Sequence, residues 1–364
     1  MSLMAEMGQR AVEHGIPITV HLDITYRCNE RCVHCYLDHD DHGEMSTAEI
    51  RNVLDQLAEA GTFFLSLSGG EVLMRRDFFE IVEYARRLLF NVKIKTNGVM
   101  IREQHARRMR DLGVQQVQIS IYSHRAEVHD AITKLPGSLR RSLEAVRLLK
   151  AEGMKVTIAN VLMTANMFDD TGVMRLAQSL GVSYTLDPMV TPKMDGDVST
   201  LAFRAPGSAL RRVFHNEELV GNVDEFCAVS AAPADDVQDD LPCSAGHASC
   251  YISPYGDVFP CVQFPLPSGN VRRQKFLDIW RNSPQLAEVR SIRTKDLPTC
   301  SGCSHVGTCS RCPGLAYMEG NMRGPSTSDC QQSFIRTGIP SANMLLQSTK
   351  GSERLVQIMA AAAR

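Results

Sequence analysis

Six strand-like runs alternate with amphipathic stretches between residues 17 and 191, and this alternation restricts the fold more than any other feature of the chain. The runs are ITVHLDITY, FFLSLSGG, NVKIKTNG, VQQVQISIYS, KVTIANVLM and VSYTLDPMV. Between the first two lies STAEIRNVLDQLAEAG, where Ser46 or Thr47 can cap a helix, Ile50, Val53, Leu54 and Leu57 make one apolar stripe, and Gly61 ends it. Strand and helix in turn are the pattern of parallel βα units. The expected fold class is therefore α/β, a partial (β/α)6 TIM-like barrel short of the eight units that close one.

In such barrels the loops after the strands converge on one mouth. Cys28, Cys32 and Cys35 follow the first run, Gly69, Gly70 and Glu71 the second, and Asn97 the third, while Ser120 to His124 ends the fourth. Asn160 belongs to the same mouth if its strand is aligned as read, and Asp187 ends the sixth run. Tyr122, His124, Asp187 and Asp195 are the candidate acids and bases there, Asp187 and Tyr122 foremost. Each of these polar residues serves equally well as a turn, cap or satisfied core residue.

The remaining sequence divides by composition. Residues 1–16 form an N-terminal extension and 17–191 the barrel; 192–242 is a linker region with AAPADDVQDDLP as its clearest break. Residues 243–331 hold eight of the twelve cysteines and few periodic segments, which predicts a cysteine-rich domain folded around metal. Residues 332–364 are a C-terminal tail with one short helix. A formal net charge of -2 gives no field that would draw nucleic acid or an anionic membrane. Glu6, Arg10 and Glu13 interrupt any signal-peptide core, and no apolar run reaches the roughly 18 residues of a membrane span. A cytoplasmic location is expected, where cysteines serve as metal ligands or catalytic thiols.

The CxxxCxxC triad of Cys28, Cys32 and Cys35 resembles the signature of the radical S-adenosylmethionine (SAM) superfamily. That resemblance implies a four-iron cluster with one iron lacking a protein ligand, to which SAM binds and where it is cleaved to a 5'-deoxyadenosyl radical that abstracts hydrogen from substrate. It also implies cofactor-binding roles for the SGGE turn, with Gly69, Gly70 and Glu71 at the SAM amino group, for His34 against adenine, and for Ser120 near the ribose. Asn97 and Asn160 join them as second-rank candidates. A structural zinc knuckle completed by His34 or a later cysteine is the alternative reading of the triad.

The later cysteines run C-x6-C-x10-C at Cys243, Cys250 and Cys261, then C-x2-C-x5-C-x2-C at Cys300, Cys303, Cys309 and Cys312, then Cys330. This resembles the SPASM domain, an extension that carries two auxiliary clusters, although its usual second group has three residues where this chain has two between Cys309 and Cys312. The resemblance assigns Cys243, Cys250, Cys261 and Cys312 to one cluster and Cys300, Cys303, Cys309 and Cys330 to the other, for three 4Fe-4S clusters in all. Structural zinc is the alternative here too. Cys227 has no assignment and reads most simply as a small apolar residue.

Both resemblances imply an oxidoreductase acting on a peptide or protein side chain, with a flavodoxin- or ferredoxin-type reductant. Because about sixteen residues precede the first strand, a separate leader-peptide recognition protein is an expected partner. The alternatives are radical tailoring of a porphyrin-like or carbohydrate cofactor, and a non-catalytic zinc or iron-sulfur protein.

Overall fold

In the computed structural model, which describes residues 3–229 and 239–347, the chain begins with α1 (Leu3–Glu13). It then runs β1 (Thr19–Thr25), α2 (Thr47–Glu59), β2 (Phe64–Gly69), α3 (Phe78–Arg87), β3 (Asn91–Thr96), α4 (Glu103–Asp111) and β4 (Gln116–Ser120). Next come α5 (Ala126–Thr133), α6 (Ser138–Ala151), β5 (Val156–Val161), α7 (Asp170–Ser179) and β6 (Ser183–Asp187). All six expected strands form. Ser46 caps α2 by accepting the Glu49 N–H, while the Glu49 carboxylate takes the Ser46 N–H at 2.7 Å, closing a capping box. Gly61, at φ 85°, ends the same helix in the left-handed region.

Strands β1 to β6 pair in parallel and in sequence order, so each crossover returns beside its predecessor. The sheet does not close. Beyond β1 it continues through β7 (Ser249–Ile252), which pairs in parallel with β1, and then through the antiparallel β8 (Asp257–Phe259) and β9 (Gly269–Asn270). One face of each barrel strand packs on the helices: Val20, Leu22 and Ile24 of β1, with Val92 and Ile94 of β3, meet Ile50, Val53, Leu54 and Leu57 of α2 and Ile81 and Val82 of α3 in one core. Burying each such side chain contributes about 1.5–3 kcal/mol before entropy is counted.

The structure divides into two compact units, at positions other than the composition boundaries. The first unit is Met1–Ala205 with Ser244–Arg290. Residues 244–290 join it because they bring both a strand and apolar mass: Ile252, Val258, Phe276, Ile279, Trp280 and Leu286 belong to the barrel core. Phe276, Ile279 and Trp280 lie on α11 (Phe276–Asn282), and Leu286 on α12 (Pro284–Ser291), so this stretch is not built on metal ligation alone.

The second unit is Pro206–Cys243 with the chain from Ser291 onward. The predicted linker supplies three helices, α8 (Gly207–Phe214), α9 (Glu217–Val220) and α10 (Val223–Cys227). They are followed by α13 (Pro313–Met318) and by α14 (Thr327–Thr337), which packs on α8. The expected tail thus starts inside α14. Residues 348–364 and most of the acidic stretch, 231–238, lie outside the described residues. Among the described residues no helix is long and apolar enough to cross a membrane.

Candidate functional site

The three-cysteine loop leaves β1 at Thr25 and is fastened at its root by the glycine turn that ends β2. Gly70 N–H donates to the Thr25 carbonyl at 2.8 Å, and Glu71 N–H to that of Arg27 at 2.9 Å. A Cβ on Gly69, at φ 134°, would lie 2.0 Å from the Thr25 oxygen, and one on Gly70 would lie 2.4 Å from the Arg27 oxygen. These positions need glycine because two backbones meet there. The Glu71 carboxylate is 0% exposed. It accepts the Thr96 hydroxyl at 2.8 Å, the Asn97 N–H at 2.9 Å and the Leu73 N–H at 3.1 Å, and burial raises its pKa. Glu71 thus braces the turns after β2 and β3.

The other side of the loop is held by α5, whose last carbonyls, Ile132 and Thr133, accept the N–H groups of Val33 and Arg31 at 3.0 Å each. Asn97 reaches across from β3 to donate to Asn29 at 2.8 Å, within 3.9 Å of the Cys28 sulfur. Glu30 N–H points at that sulfur from 3.4 Å. Burial pushes the Cys28 thiol up to about 12 and raises those of Cys32 and Cys35 as well. The Glu30 carboxyl, likewise buried, is raised to about 8, with Cys32 at 3.5 Å. Three thiols crowded together and buried are reluctant to ionise, so a cation that binds them must displace protons.

His34 stands edge-on to Tyr122, ring centroids 4.7 Å apart, and its buried Nδ1 has no hydrogen-bond partner among the described residues. Burial lowers its imidazole to about 4. Tyr122 is 7% exposed and stacks on His129, and burial lifts its phenol far above the ordinary range. A phenol so placed keeps its proton in the resting protein, and the Tyr122 ring walls the cysteine loop. Ser120 ends β4 beside the Tyr122 hydroxyl.

Register separates the remaining candidates. Asn160 shares a face of β5 with Val156 and Ile158, which pack on the helices. Its side chain accepts from Asn166 at 3.2 Å and donates to the Tyr184 hydroxyl at 3.3 Å. Asn160 therefore lies behind the sheet and not at the mouth; one residue of parity makes the difference. Asp187 is on the inner face, at the open end of β6, where surrounding protein raises its carboxyl although solvent reaches it. His124 lies 3.9 Å from Asp169, and Asp195 accepts the Asp197 N–H in a turn.

The inner face also carries residues that the motif reading passed over. His21 and Asp23 of β1 align with Ser66 and Ser68 of β2, and Ser66 with Lys93 of β3; Lys95 follows two positions on. Asp23, fully buried, accepts from the Tyr251 hydroxyl at 3.0 Å and lies 3.0 Å from His21 Nε2, and Tyr251 in turn meets the Tyr26 hydroxyl at 2.6 Å. Burial lowers the Lys95 ammonium pKa. A charged, hydrogen-bonded lumen is suited to a polar guest. Its signal in the sequence is the polar-apolar alternation of HLD and KIK, unusual for parallel strands, which read apolar on both faces.

In the second unit Cys300, Cys303, Cys309 and Cys330 line one cavity with His305, Arg311 and Asp329. Ala342 N–H donates to the Cys303 sulfur at 3.4 Å. Cys312 caps α13, its N–H given to Asp329 at 2.7 Å, and is not among the residues lining that cavity. Cys227 lies apart on α10, 3.4 Å from His215 Nδ1. Of the other expected ligands, Cys250 and Cys261 fall in the first unit and Cys243 in the second.

Comparison with known proteins bears on this arrangement. A family model described as the radical SAM superfamily matches residues 22–177, and one described as an iron-sulfur cluster-binding domain, SPASM, matches 243–304. The mycofactocin maturase MftC of Mycobacterium tuberculosis is 30% identical over 310 residues, 82% of this chain and 78% of that protein. The chain belongs to the radical SAM superfamily. It is a radical SAM enzyme with a SPASM extension. Similarity extends to the AdoMet-dependent heme synthase of Methanosarcina barkeri, 28% identical over 327 residues, 83% of this chain and 92% of that one. Among solved structures, Streptococcus suis SuiB bound to its precursor peptide SuiA superposes with a TM-score of 0.71 at 16% identity, covering 90% of this chain and 80% of that chain. This last likeness concerns the fold.

The radical SAM donor set fits SAM and iron-sulfur clusters. A loop of three thiols, with an N–H directed at one sulfur and an unpartnered buried imidazole nitrogen alongside, is a ligand set short of the four that a cluster takes. Four thiols around one cavity make a complete set. Among the described residues no three His, Cys, Asp or Glu side chains converge as they would round a single ion. A cubane spreads its thiolates more widely than that, so the fit rests on the chemistry of the donors.

Proposed function

We propose that this radical SAM enzyme oxidatively modifies a side chain of a peptide or protein. The observation that carries the reading is the three-thiol loop fastened over a polar, charged barrel lumen, in a chain similar along most of its length to a mycofactocin maturase and in fold to SuiB, which was solved with its precursor peptide. When bound, the cluster and SAM supply a hydrogen-abstracting 5'-deoxyadenosyl radical. The chain's own residues do the rest. Cys28, Cys32 and Cys35 hold the cluster; Gly69 and Gly70 fix the loop root; His34 and Ser120 stand where adenine and ribose would pack; Asn97 steadies the loop near Cys28. Asp187 is the candidate proton acceptor. Cys300, Cys303, Cys309 and Cys330 hold one auxiliary cluster, and the remaining SPASM cysteines serve a second, giving three 4Fe-4S clusters. A flavodoxin- or ferredoxin-type reductant, a separate leader-recognition protein and a cytoplasmic location complete the proposal.

Similarity to heme synthases favours a second reading, in which the guest is a tetrapyrrole side chain. The deciding experiment is anaerobic reconstitution followed by incubation with SAM, strong reductant and either a precursor peptide encoded beside the gene or an iron porphyrin. About twelve irons per chain are expected. 5'-Deoxyadenosine should form and should vanish in Cys32→Ala. Mass change of the peptide supports the first reading and of the porphyrin the second; two or three zincs without 5'-deoxyadenosine would leave a passive metalloprotein. In Cys303→Ala, SAM cleavage should survive while product falls.

A further inference from the structure

The four-thiol cavity of the second unit contains a fixed cation with an unused donor. Arg311 is 7% exposed. Its Nε donates to the Gly324 carbonyl at 2.9 Å, and its Nη2 to the same oxygen at 2.6 Å and to the Met322 carbonyl. These bonds clamp the guanidinium plane to a turn of the backbone. Its Nη1 is buried and has no hydrogen-bond partner among the described residues. A buried donor left so is costly, and in native proteins it marks a place where an acceptor belongs.

Besides the Asp329 carboxylate, which already takes the Cys312 N–H at 2.7 Å, the cavity offers sulfur as an acceptor. Cys300, Cys303, Cys309 and Cys330 line the same space as Arg311. Four thiolates around an iron-sulfur core carry net negative charge and expose sulfur acceptors. His305, 1% exposed, is not equivalent. Its Nε2 lies 2.9 Å from the Ile339 carbonyl, which can only accept, so that nitrogen carries the hydrogen and the unpartnered Nδ1 presents a lone pair.

We propose that Arg311 tunes this auxiliary cluster, donating Nη1–H to a cluster or cysteine sulfur and holding a positive charge against it. The proposal rests on the reading of these four cysteines as that cluster's ligands. Net charge and hydrogen bonds to the sulfurs are levers on cluster potential. Reduction adds negative charge, so Arg311 favours the reduced state and makes this cluster the better electron acceptor. Arg311 is a positioning and tuning residue, not a catalytic one.

The test is a redox titration of the full, anaerobically reconstituted chain, followed by electron paramagnetic resonance, with iron and sulfide measured in each sample. Arg311→Met should shift the reduction equilibrium of one cluster about tenfold toward the oxidised form, or about 59 mV lower for a one-electron couple, and leave the others in place. Arg311→Lys, which keeps the charge, should shift it less. Full iron with every cluster at its original potential in Arg311→Met would overturn the proposal. If that variant loses iron, Arg311→Gln and Arg311→Lys decide: a shift in the first that exceeds the second supports the role, and equal potentials refute it. Cys303→Ala tests the underlying reading separately. It should lose the resonance that Arg311→Met moves, and full iron in Cys303→Ala would refute the ligand assignment itself.

Discussion

Gly70 donates its N–H to the carbonyl of Thr25 at 2.8 Å, so the turn after the second strand and the root of the cysteine loop share backbone hydrogen bonding. A side chain there meets the Arg27 and Tyr26 carbonyl oxygens at 2.4 and 2.5 Å. Gly70→Ala must push the loop away. We expect a loss of about 2 kcal/mol or more, seen as a lower unfolding midpoint in the metal-free chain, together with less iron bound after reconstitution. Normal values of both would show that the contact is dispensable.

Glu71 collects three donors, from Thr96, Asn97 and Leu73. Glu71→Gln places an NH2 where one of those donors needs an acceptor and should cost about 1–3 kcal/mol by denaturant titration. Thr96→Val removes a donor to the same carboxylate, so the two effects should fall short of adding. Strict additivity would contradict a shared network.

His129 makes stability depend on pH. It is 1% exposed, its Nδ1 accepts the Tyr122 N–H at 3.1 Å, and burial lowers its pKa to about 4. The unfolded chain, with imidazole near its ordinary pKa of about 6.5, takes up the proton first as pH falls. The contribution of neutral His129 is therefore complete above about 6.5 and disappears toward 4, amounting to about 3 kcal/mol across that window. Unfolding free energies at pH 7 and 5 should converge in His129→Gln relative to the parent. An unchanged difference would exclude this residue.

Asp187 ends the inner face of β6 with a carboxyl raised by its surroundings. If it accepts a substrate proton, Asp187→Asn should lower product formation about a hundredfold while SAM cleavage without product continues. Parallel loss of both reactions would point instead to a damaged barrel.

Much of this was legible in the order of residues. The six strands announced themselves by short β-branched runs between helices with caps and stripes, and the cysteine loop by spacing alone. What escaped was set by contacts between distant segments. Asn160 looks like a mouth residue until register fixes its parity. Nothing local shows that the Glu71 oxygens also hold the turn after β3. The strand SCYI carries a cysteine and only four residues, so nothing local shows that it pairs with β1. Cys300, Cys303, Cys309 and Cys330 line one cavity, a juxtaposition that their spacing, with Cys312 falling between them, does not give by itself.

That late pairing bears on biosynthesis. Thr19 and Val20 find their neighbours Ser249 and Cys250 more than two hundred residues further along the chain. While the ribosome is still making the intervening segments, one flank of the first strand has bare amides and carbonyls, open to pairing with another nascent molecule. Truncation before residue 249 should therefore yield a barrel that forms inclusion bodies, and slow emergence of the later half should make chaperones matter more than for a domain whose sheet closes early.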